Sequence, residues 1–596
     1  ELARAKFYLN KARRAWLNET RLDTIPPDIS VKFPPPSYRT NDFLIYIQGT
    51  ARDDFFISNI VFNGRPSKLE LSRKEVSFRE EFLLHHGKNV ITLQSEDILG
   101  KTSVPVTIQI KVDREGPLVF LEARLNADNT IQVTGAVYDK SAIARLSLNG
   151  RELVFEKAKF LSLNEDFGGL GLLKDAPIQF EAEDIVGNKT TGNLQTSSSK
   201  ISTNLSHYPL IAFAQSSKNP LSLPAMTLPQ ASSLKHLAAV GGMHTPAIDL
   251  KGLRDGQTMF YNTLSVEGTV RTGKGIEDLT LNGQSLISIE EDASGTSFLK
   301  LLKEKKGRPL AFSKTIQLEE GENTITTALA DTTGKVTKKA IVITRKIPRV
   351  RQLDSRLKVA SFPFTEKKKT RETLRNYVYT FLTRSFVEQK RFNVLGRDKL
   401  NKTLEKQQIE KEAIFDQQEA IRLGHLMGSE TVLIGEITAS KESIEIFSQL
   451  IDIKTSITLA EKDVYWEGGL NAGFRETLDS LALKFKQHLP LCEGTVIEER
   501  ERRTTIDLGR NQSICQGMRF LAFHENDPIY DTITGMDLGS DTEILGLLSV
   551  KEIDQTFSRA DISQNSKRLK KLPRPSQVAV YFPSLGKLCR NVIARE

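Results

Sequence analysis

One short grammar recurs three times between residues 24 and 345, and it limits what that half of the chain can become. An apolar run ends in Asn-Gly at Ile60-Val61-Phe62-Asn63-Gly64, Leu146-Ser147-Leu148-Asn149-Gly150 and Leu279-Thr280-Leu281-Asn282-Gly283. A second run with period-two apolar residues follows, at Val90–Leu93, Ile178–Phe180 and Thr324–Thr326. An Asp-x-x-Gly step comes next: Asp97 with Gly100, Asp184 with Gly187, Asp331 with Gly334. Asn-Gly tolerates φ > 0 at both central positions of a type I′ turn, the favoured two-residue hairpin. Asp-x-x-Gly turns the chain back through its side-chain acceptor and a permissive glycine. Each segment is therefore expected to be a small antiparallel sandwich of about seven strands, with Asn63, Gly64, Asn149, Gly150, Asn282 and Gly283 as structural turns.

The three segments, 24–115, 116–195 and 256–348, resemble the bacterial immunoglobulin-like modules of surface and envelope proteins. Their recurrent Asn, Asp and Gly are read as turn chemistry. No carboxylate series with the spacing of a calcium loop is present, so no metal ligand is assigned. His85 and His86 read as surface residues beside a turn. A Ser/Pro-rich insertion, about 191–255 with 196–255 as its body, reads as linker or extended wrapping. Residues 1–22 read as an amphipathic helix with Leu2, Ala5, Leu9 and Ala12 on its packing face, similar to the last helix of a tetratricopeptide repeat. That helix begins abruptly at Glu1, and a processed or cut amino terminus is expected.

Residues 354–490 change character. An apolar strand at Leu357–Phe364 precedes a helical pattern through Leu374, Val378, Phe381 and Leu382. A short strand at Arg391–Arg397, two further helices and a buried strand at Thr431–Ile437 follow. Two alternating strands and a last helix with Phe474, Leu478, Leu481 and Phe485 on one stripe complete the unit. This is an α/β layer fold with helices covering a sheet. The order VASFPF, long helix, RFNVLGRDKL, LGHLMGSETVLIGEI, FSQLIDIKT, last helix resembles the periplasmic domain shared by curli secretion channel subunits (CsgG) and the amino-terminal domain of TolB. The amphipathic hairpin pair of the curli pore has no counterpart here.

Residues 491–596 read as a small SH3-like β-barrel. GTVIEE, TIDLGRNQSICQGMRFLAF and EILGLLSV in that order are similar to the carboxy-terminal barrel of the flagellar protein FlgT, in which a TolB-like domain also precedes the barrel. The three cysteines, Cys492, Cys515 and Cys589, all lie in this last domain in no metal-binding spacing. The reading stays open between one bridge, Cys492 to Cys589 with Cys515 a buried thiol, and three buried thiols.

Composition narrows the function classes. The formal charge of +9 is small for 596 residues, and the signs alternate along most of the chain. Nucleic-acid binding would need clustered basic residues among aromatics. The dense run Lys567-Arg568-Leu569-Lys570-Lys571 reads as a solvated loop. No window is apolar enough to cross a bilayer. No nucleophile elbow, phosphate loop or His-Glu-x-x-His is present, so no catalytic residue and no cofactor are assigned. The sequence thus points to a non-enzymatic envelope scaffold, periplasmic and outer-membrane-associated. Its expected partners are envelope proteins of a ring-forming secretion or flagellar-type complex, with self-assembly into an oligomer. The rival reading is a carbohydrate-binding module protein, which would use flat aromatic platforms. The chain has two tryptophans, Trp16 and Trp466, to offer.

Overall fold

The computed structural model describes residues 2–126, 130–168, 177–198, 246–287, 293–366, 372–407, 416–489, 491–500, 503–512, 514, 516, 518–564 and 576–580. The described residues form a mostly β, multidomain chain of several sheets and few helices.

Each repeat is built on a strand that changes layers. In the first, Leu44–Phe62 pairs through its first half with Asp28–Phe33 and through its second with Gly87–Asp97, while Arg65–Leu83 follows both. Register breaks between Arg52 and Ile57. In the second, Ile131–Leu148 pairs first with Glu115–Leu125 and Ala158–Phe167, then with Ile178–Asp184. In the third the strand is interrupted: Thr263–Arg271 pairs with Leu310–Gln317, and Ile276–Leu281 with Gly321–Asp331. A strand that bends between layers lets its inward residues join both walls of one core. Ile47, Ile57, Val133, Ile143, Val266 and Leu279 are all fully buried there.

A glycine precedes each crossing by a fixed interval: Gly49 before Asp53, Gly135 before Asp139, Gly268 before Thr272. The neighbouring strand comes so close that a Cβ on Gly135 would lie 2.1 Å from the Phe120 carbonyl oxygen. Gly49 and Gly268 face Ser30 and Asp249 carbonyls at 2.2 and 2.6 Å in the same way.

The second and third repeats are not separate sandwiches. Glu115–Leu125 pairs with Leu310–Gln317, and the two units share one ten-stranded sheet. Glu115 through Leu121 is buried without interruption, as a strand covered on both faces must be. The helix α2 (Ala293–Glu304) plugs the joint with Phe298, stacked at 5.4 Å on Tyr138 and edge-on to Phe120 and Phe160.

The α/β domain has the strand order Asn393–Leu395, Lys358–Ser361, Thr431–Ala439, Ser443–Asp452, Thr458–Glu467. The first three are parallel and the last two antiparallel. Helices α3 (Glu372–Glu388) and α6 (Ala472–His488) cover one face through Val378, Leu382, Phe386, Phe474, Leu478 and Phe485. Helices α4 (Arg397–Gln407) and α5 (Gln417–Leu426) cover the other through Leu400, Leu404, Ala420 and Leu423. The strands from Glu493–Arg500 to Ser576–Val580 close into a six-stranded barrel.

Three expectations change. Helix α1 (Leu2–Thr20) forms, but Leu2 and Leu9 of the expected packing face are 63% and 45% exposed. The face that packs carries Lys6, Phe7, Asn10, Arg13 and Leu17, and it works mainly by hydrogen bonding, which an apolar-periodicity reading does not register. The ends of the insertion are strands: Thr196–Ser198 pairs with Glu115–Leu125, and Ala247–Leu250 with Thr263–Arg271. Residues 199–245 lie outside the described residues. The segment Lys346–Leu353, which in sequence is a linker-like break between the third repeat and the α/β domain, carries Val350 into the α/β core at 1% exposure.

Gly135→Ala should destabilise the second unit by about 1–3 kcal/mol, since the methyl must displace a packed strand, on top of the backbone penalty at its φ of 137°. Gly150→Ala, where nothing lies within 4 Å of the added Cβ, should cost only the left-handed backbone penalty of roughly 1 kcal/mol. Chemical denaturation of the two variants checks that order; equal losses would mean that the close approach is not limiting.

Candidate functional site

The Asn-Gly positions are the local anchors of each repeat. Asn63 and Gly64 have φ of 48° and 76°, Asn149 and Gly150 46° and 76°, Asn282 and Gly283 49° and 78°. Each asparagine also reaches sideways. Asn63 Oδ1 accepts the Thr92 N–H, Asn149 Oδ1 that of Gln179, and Asn282 Oδ1 that of Thr326, at 2.8–2.9 Å. The turn thereby extends the ladder to the next strand, a role that residue type alone does not reveal. Cys492 is half-buried, with its Sγ 3.7 Å from the Gln512 carbonyl, and burial pushes its thiol up. Cys515 and Cys589, and with them the bridge to Cys492, lie outside the described residues.

The Asp-x-x-Gly aspartates act as turn caps. Asp184 Oδ1 accepts N–H groups from Val186 and Asn188, and Asp97 Oδ1 from Leu99 and Lys101. The layer crossing adds a second aspartate, since bent backbone leaves amides for a side chain to satisfy. Asp139 Oδ1 accepts the Ser141 N–H, and Asp53 Oδ2 those of Phe55 and Phe56. A third comes from the segment entering the unit, Asp113 in the second repeat and Asp23 in the first.

In the second repeat these three carboxylates converge. Asp113, Asp139 and Asp184 are all buried, and one ligand-capable oxygen from each lies within 4.8 Å of the others. Burial, reinforced by Asp113 and Asp184, pushes the Asp139 carboxyl up to about 8. Sequence spacing could not show this cluster, because its members come from three segments that only the fold joins. The absence of a calcium-loop spacing therefore did not exclude grouped carboxylates. Glu115 sits beside them between Lys140 and Lys314, at 2.8 and 2.9 Å. His86, read as a surface residue, faces Glu115 at 3.5 Å, and burial lowers its pKa.

In the first repeat, Lys101 occupies the place that Asn188 has in the second. Its Nζ lies 2.5 Å from Asp23 Oδ1 and 2.7 Å from the Asp23 carbonyl. In the third repeat Thr272 stands where the crossing aspartate would be.

The units touch one another in a closed circuit. Helix α1 splints the first repeat to the α/β domain. Asn10 and Arg13 bond Glu70 and Ser72 main-chain groups at 2.7–3.1 Å, where the ladder skips from Lys68 to Arg73. On its other side Phe7 packs edge-on against Tyr465, Lys11 pairs with Glu467 and the Ala3 N–H reaches Asp463. Glu70 accepts from both Lys6 and Lys484. Burial raises its carboxyl, and the two ammonium groups more than offset that. Asn41 and Asn188 join the first two repeats at 3.3 Å. The third repeat meets the barrel through Arg254 with Asp531 at 2.7 Å, and Phe260 with the Leu538 carbonyl at 2.8 Å. The barrel returns to the α/β domain by Arg519 on Asp452 and by Phe523, buried in that domain's core. The repeats thus fold back onto the last two domains.

Residues 350–448 match the family model of the curli production assembly/transport component CsgG, which makes this part of the α/β domain CsgG-like. The match spans a minor part of the chain. No curated protein matches the sequence. Solved structures with partial likeness include the LpoB C-terminal domain from Salmonella enterica, 9% identical, covering 19% of this chain and 83% of that one, TM-score 0.17. Lipoprotein GNA1162 from Neisseria meningitidis is 12% identical over 22% of this chain and 98% of its own, TM-score 0.19. The PelC dodecamer from Paraburkholderia phytofirmans is 12% identical over 22% of this chain and 85% of its own, TM-score 0.16.

The junction of α6 with the sheet contains a histidine that must stay neutral. His488 Nδ1 lies 3.3 Å from Lys462 Nζ. Burial, then the Lys462 charge, lowers it from 6.5 to about 4. A depressed pKa means that the unfolded chain takes up the proton first. Stability is therefore complete above 6.5 and falls as pH drops from 6.5 towards 4. Thermal unfolding across that window should show a smaller loss for His488→Gln than for the parent; parallel curves would remove His488 from the account.

Proposed function

We propose that this chain is a non-enzymatic assembly scaffold of the cell envelope, working in the periplasm and associated with the outer membrane. Its CsgG-like domain and the barrel behind it dock together onto a ring-forming secretion or flagellar-type complex. The observation that carries the reading is the CsgG match at 350–448, on a domain whose core also takes in Phe523 of the barrel. Two domains with a shared core and the Arg519–Asp452 ion pair present their surfaces as one rigid body, which suits a fixed place in a ring. On this reading the repeats are immunoglobulin-like units that brace the docking pair, the barrel is FlgT-like, and copies of the chain associate head to tail.

Cross-linking in intact envelopes, followed by tagged purification and mass spectrometry, tests the proposal. The expected result is stoichiometric capture of a membrane-embedded ring component, with cross-links concentrated in residues 350–596. Recovery of the protein as a free monomer from cross-linked envelopes would overturn it.

A further inference from the structure

We propose that the outer edge of the Arg65–Leu83 strand pairs antiparallel with the same edge of a second copy of this chain, about a two-fold axis at Ser77. The strand is an edge: among the described residues it pairs with Leu44–Phe62 and with no other strand. The Leu84 N–H bonds the Phe43 carbonyl, next to the register pair Leu44–Leu83. By alternation Phe82, Glu80, Phe78 and Val76 bond inward, and Glu81, Arg79, Ser77 and Glu75 turn their N–H and C=O groups outward. Among the described residues nothing bonds those outward groups. Such a row of unpaired amides and carbonyls is a template for another strand.

The order of charges selects the partner. Arg73 to Glu81 reads RKEVSFREE. Laid antiparallel on itself about Ser77, the run sets Arg73 opposite Glu81, Lys74 opposite Glu80, Glu75 opposite Arg79 and Val76 opposite Phe78. Every charge meets its opposite, and the symmetry makes each pair twice. Residues directly opposed share a face, where opposite charges stabilise the pairing and like charges oppose it. A slip of one residue either way sets Glu75 against Glu80 or Lys74 against Arg79. Charges that merely guard an edge need no such mirror order.

The outer four charges are also the ones left without a counter-ion. Glu75 pairs with Arg52 at 2.9 Å, and Arg79 lies over the Tyr46 ring at 4.1 Å. Arg73, Lys74, Glu80 and Glu81 are exposed, and among the described residues they form no salt bridge. Partial burial and the Glu81 charge raise the Glu80 carboxyl, while Lys486 of α6 lowers it. A facing Lys74 ammonium acts in the same direction as Lys486. Beyond the bend, Asn10 and Arg13 of α1 already hold Glu70 and Ser72, so the incoming strand ends there. This two-fold contact is separate from the head-to-tail association proposed above and does not depend on it.

Sedimentation velocity of the full chain over a range of concentrations tests the proposal. The expected result is a reversible monomer–dimer equilibrium that weakens with added salt. Arg73→Glu with Lys74→Glu should weaken the dimer roughly tenfold or more, and so should Glu80→Lys with Glu81→Lys. An equimolar mixture of the two double variants should dimerise again, because each then meets the other's opposite charge. Ser77→Cys should be joined to a second copy by a short thiol-to-thiol cross-linker. A strict monomer would overturn the proposal, as would a dimer that survives either charge reversal, or double variants that stay apart when mixed. Cross-linking of Ser77→Cys in intact envelopes to a different protein and not to its own copy would overturn it too, giving the edge to a foreign strand.

Discussion

The layer-crossing strand is the constraint on which the first half of the molecule depends. A strand that serves both walls of a core must break its ladder once, and at that break the backbone needs acceptors that no neighbouring strand supplies. An aspartate at Asp53 and at Asp139 meets that need. The same bend draws in the turn aspartate of the next hairpin and the entering aspartate of the linker. Carboxylates chosen for backbone geometry thus crowd into one buried place, where each raises the cost of ionising the others. The chain meets this charge in different ways: by an internal lysine in the first repeat, and by removing the aspartate in the third.

Contacts between units have the opposite character. Some are polar and some are shared sheet or core, and together they run in a circuit. Helix α1 fills the gap that the Arg65–Leu83 ladder leaves at Glu70 and Ser72, and offers its far side to Tyr465 and Glu467. The second and third repeats share backbone pairing, and the barrel and the α/β domain share a core. A displacement at any one joint must be taken up by the others, so weak individual contacts can hold a defined arrangement.

Much of the local structure was legible from residues alone. The apolar stripe Phe474, Leu478, Leu481 and Phe485 identified α6, and alternation identified both strands of the long hairpin in the α/β sheet, because burial on one face imposes those periods. What remained hidden was whatever joins segments far apart in sequence. Nothing in Glu115–Leu125 announces that its second neighbour is Leu310–Gln317, beyond an unbroken run of buried residues. The packing face of α1 was misread because Asn10 and Arg13 dock by hydrogen bonds, which leave no hydrophobic period. The acidic centre was missed for the same reason: three aspartates, each with a local turn to explain it, meet only in three dimensions. The CsgG-like domain was recognisable because its evidence is an order of short motifs, which sequence preserves.

The position of α1 also has a consequence in time. Its bonds to Glu70 and Ser72 span about 60 residues, whereas its contact with Tyr465 spans 457. At ribosomal rates of roughly 5–20 residues per second, the second surface follows the first by some tens of seconds. During that interval an interrupted β-ladder would otherwise stand open to other chains. Arriving first, the helix covers the gap with asparagine and arginine, and so works as the nascent chain's own escort before it becomes a brace.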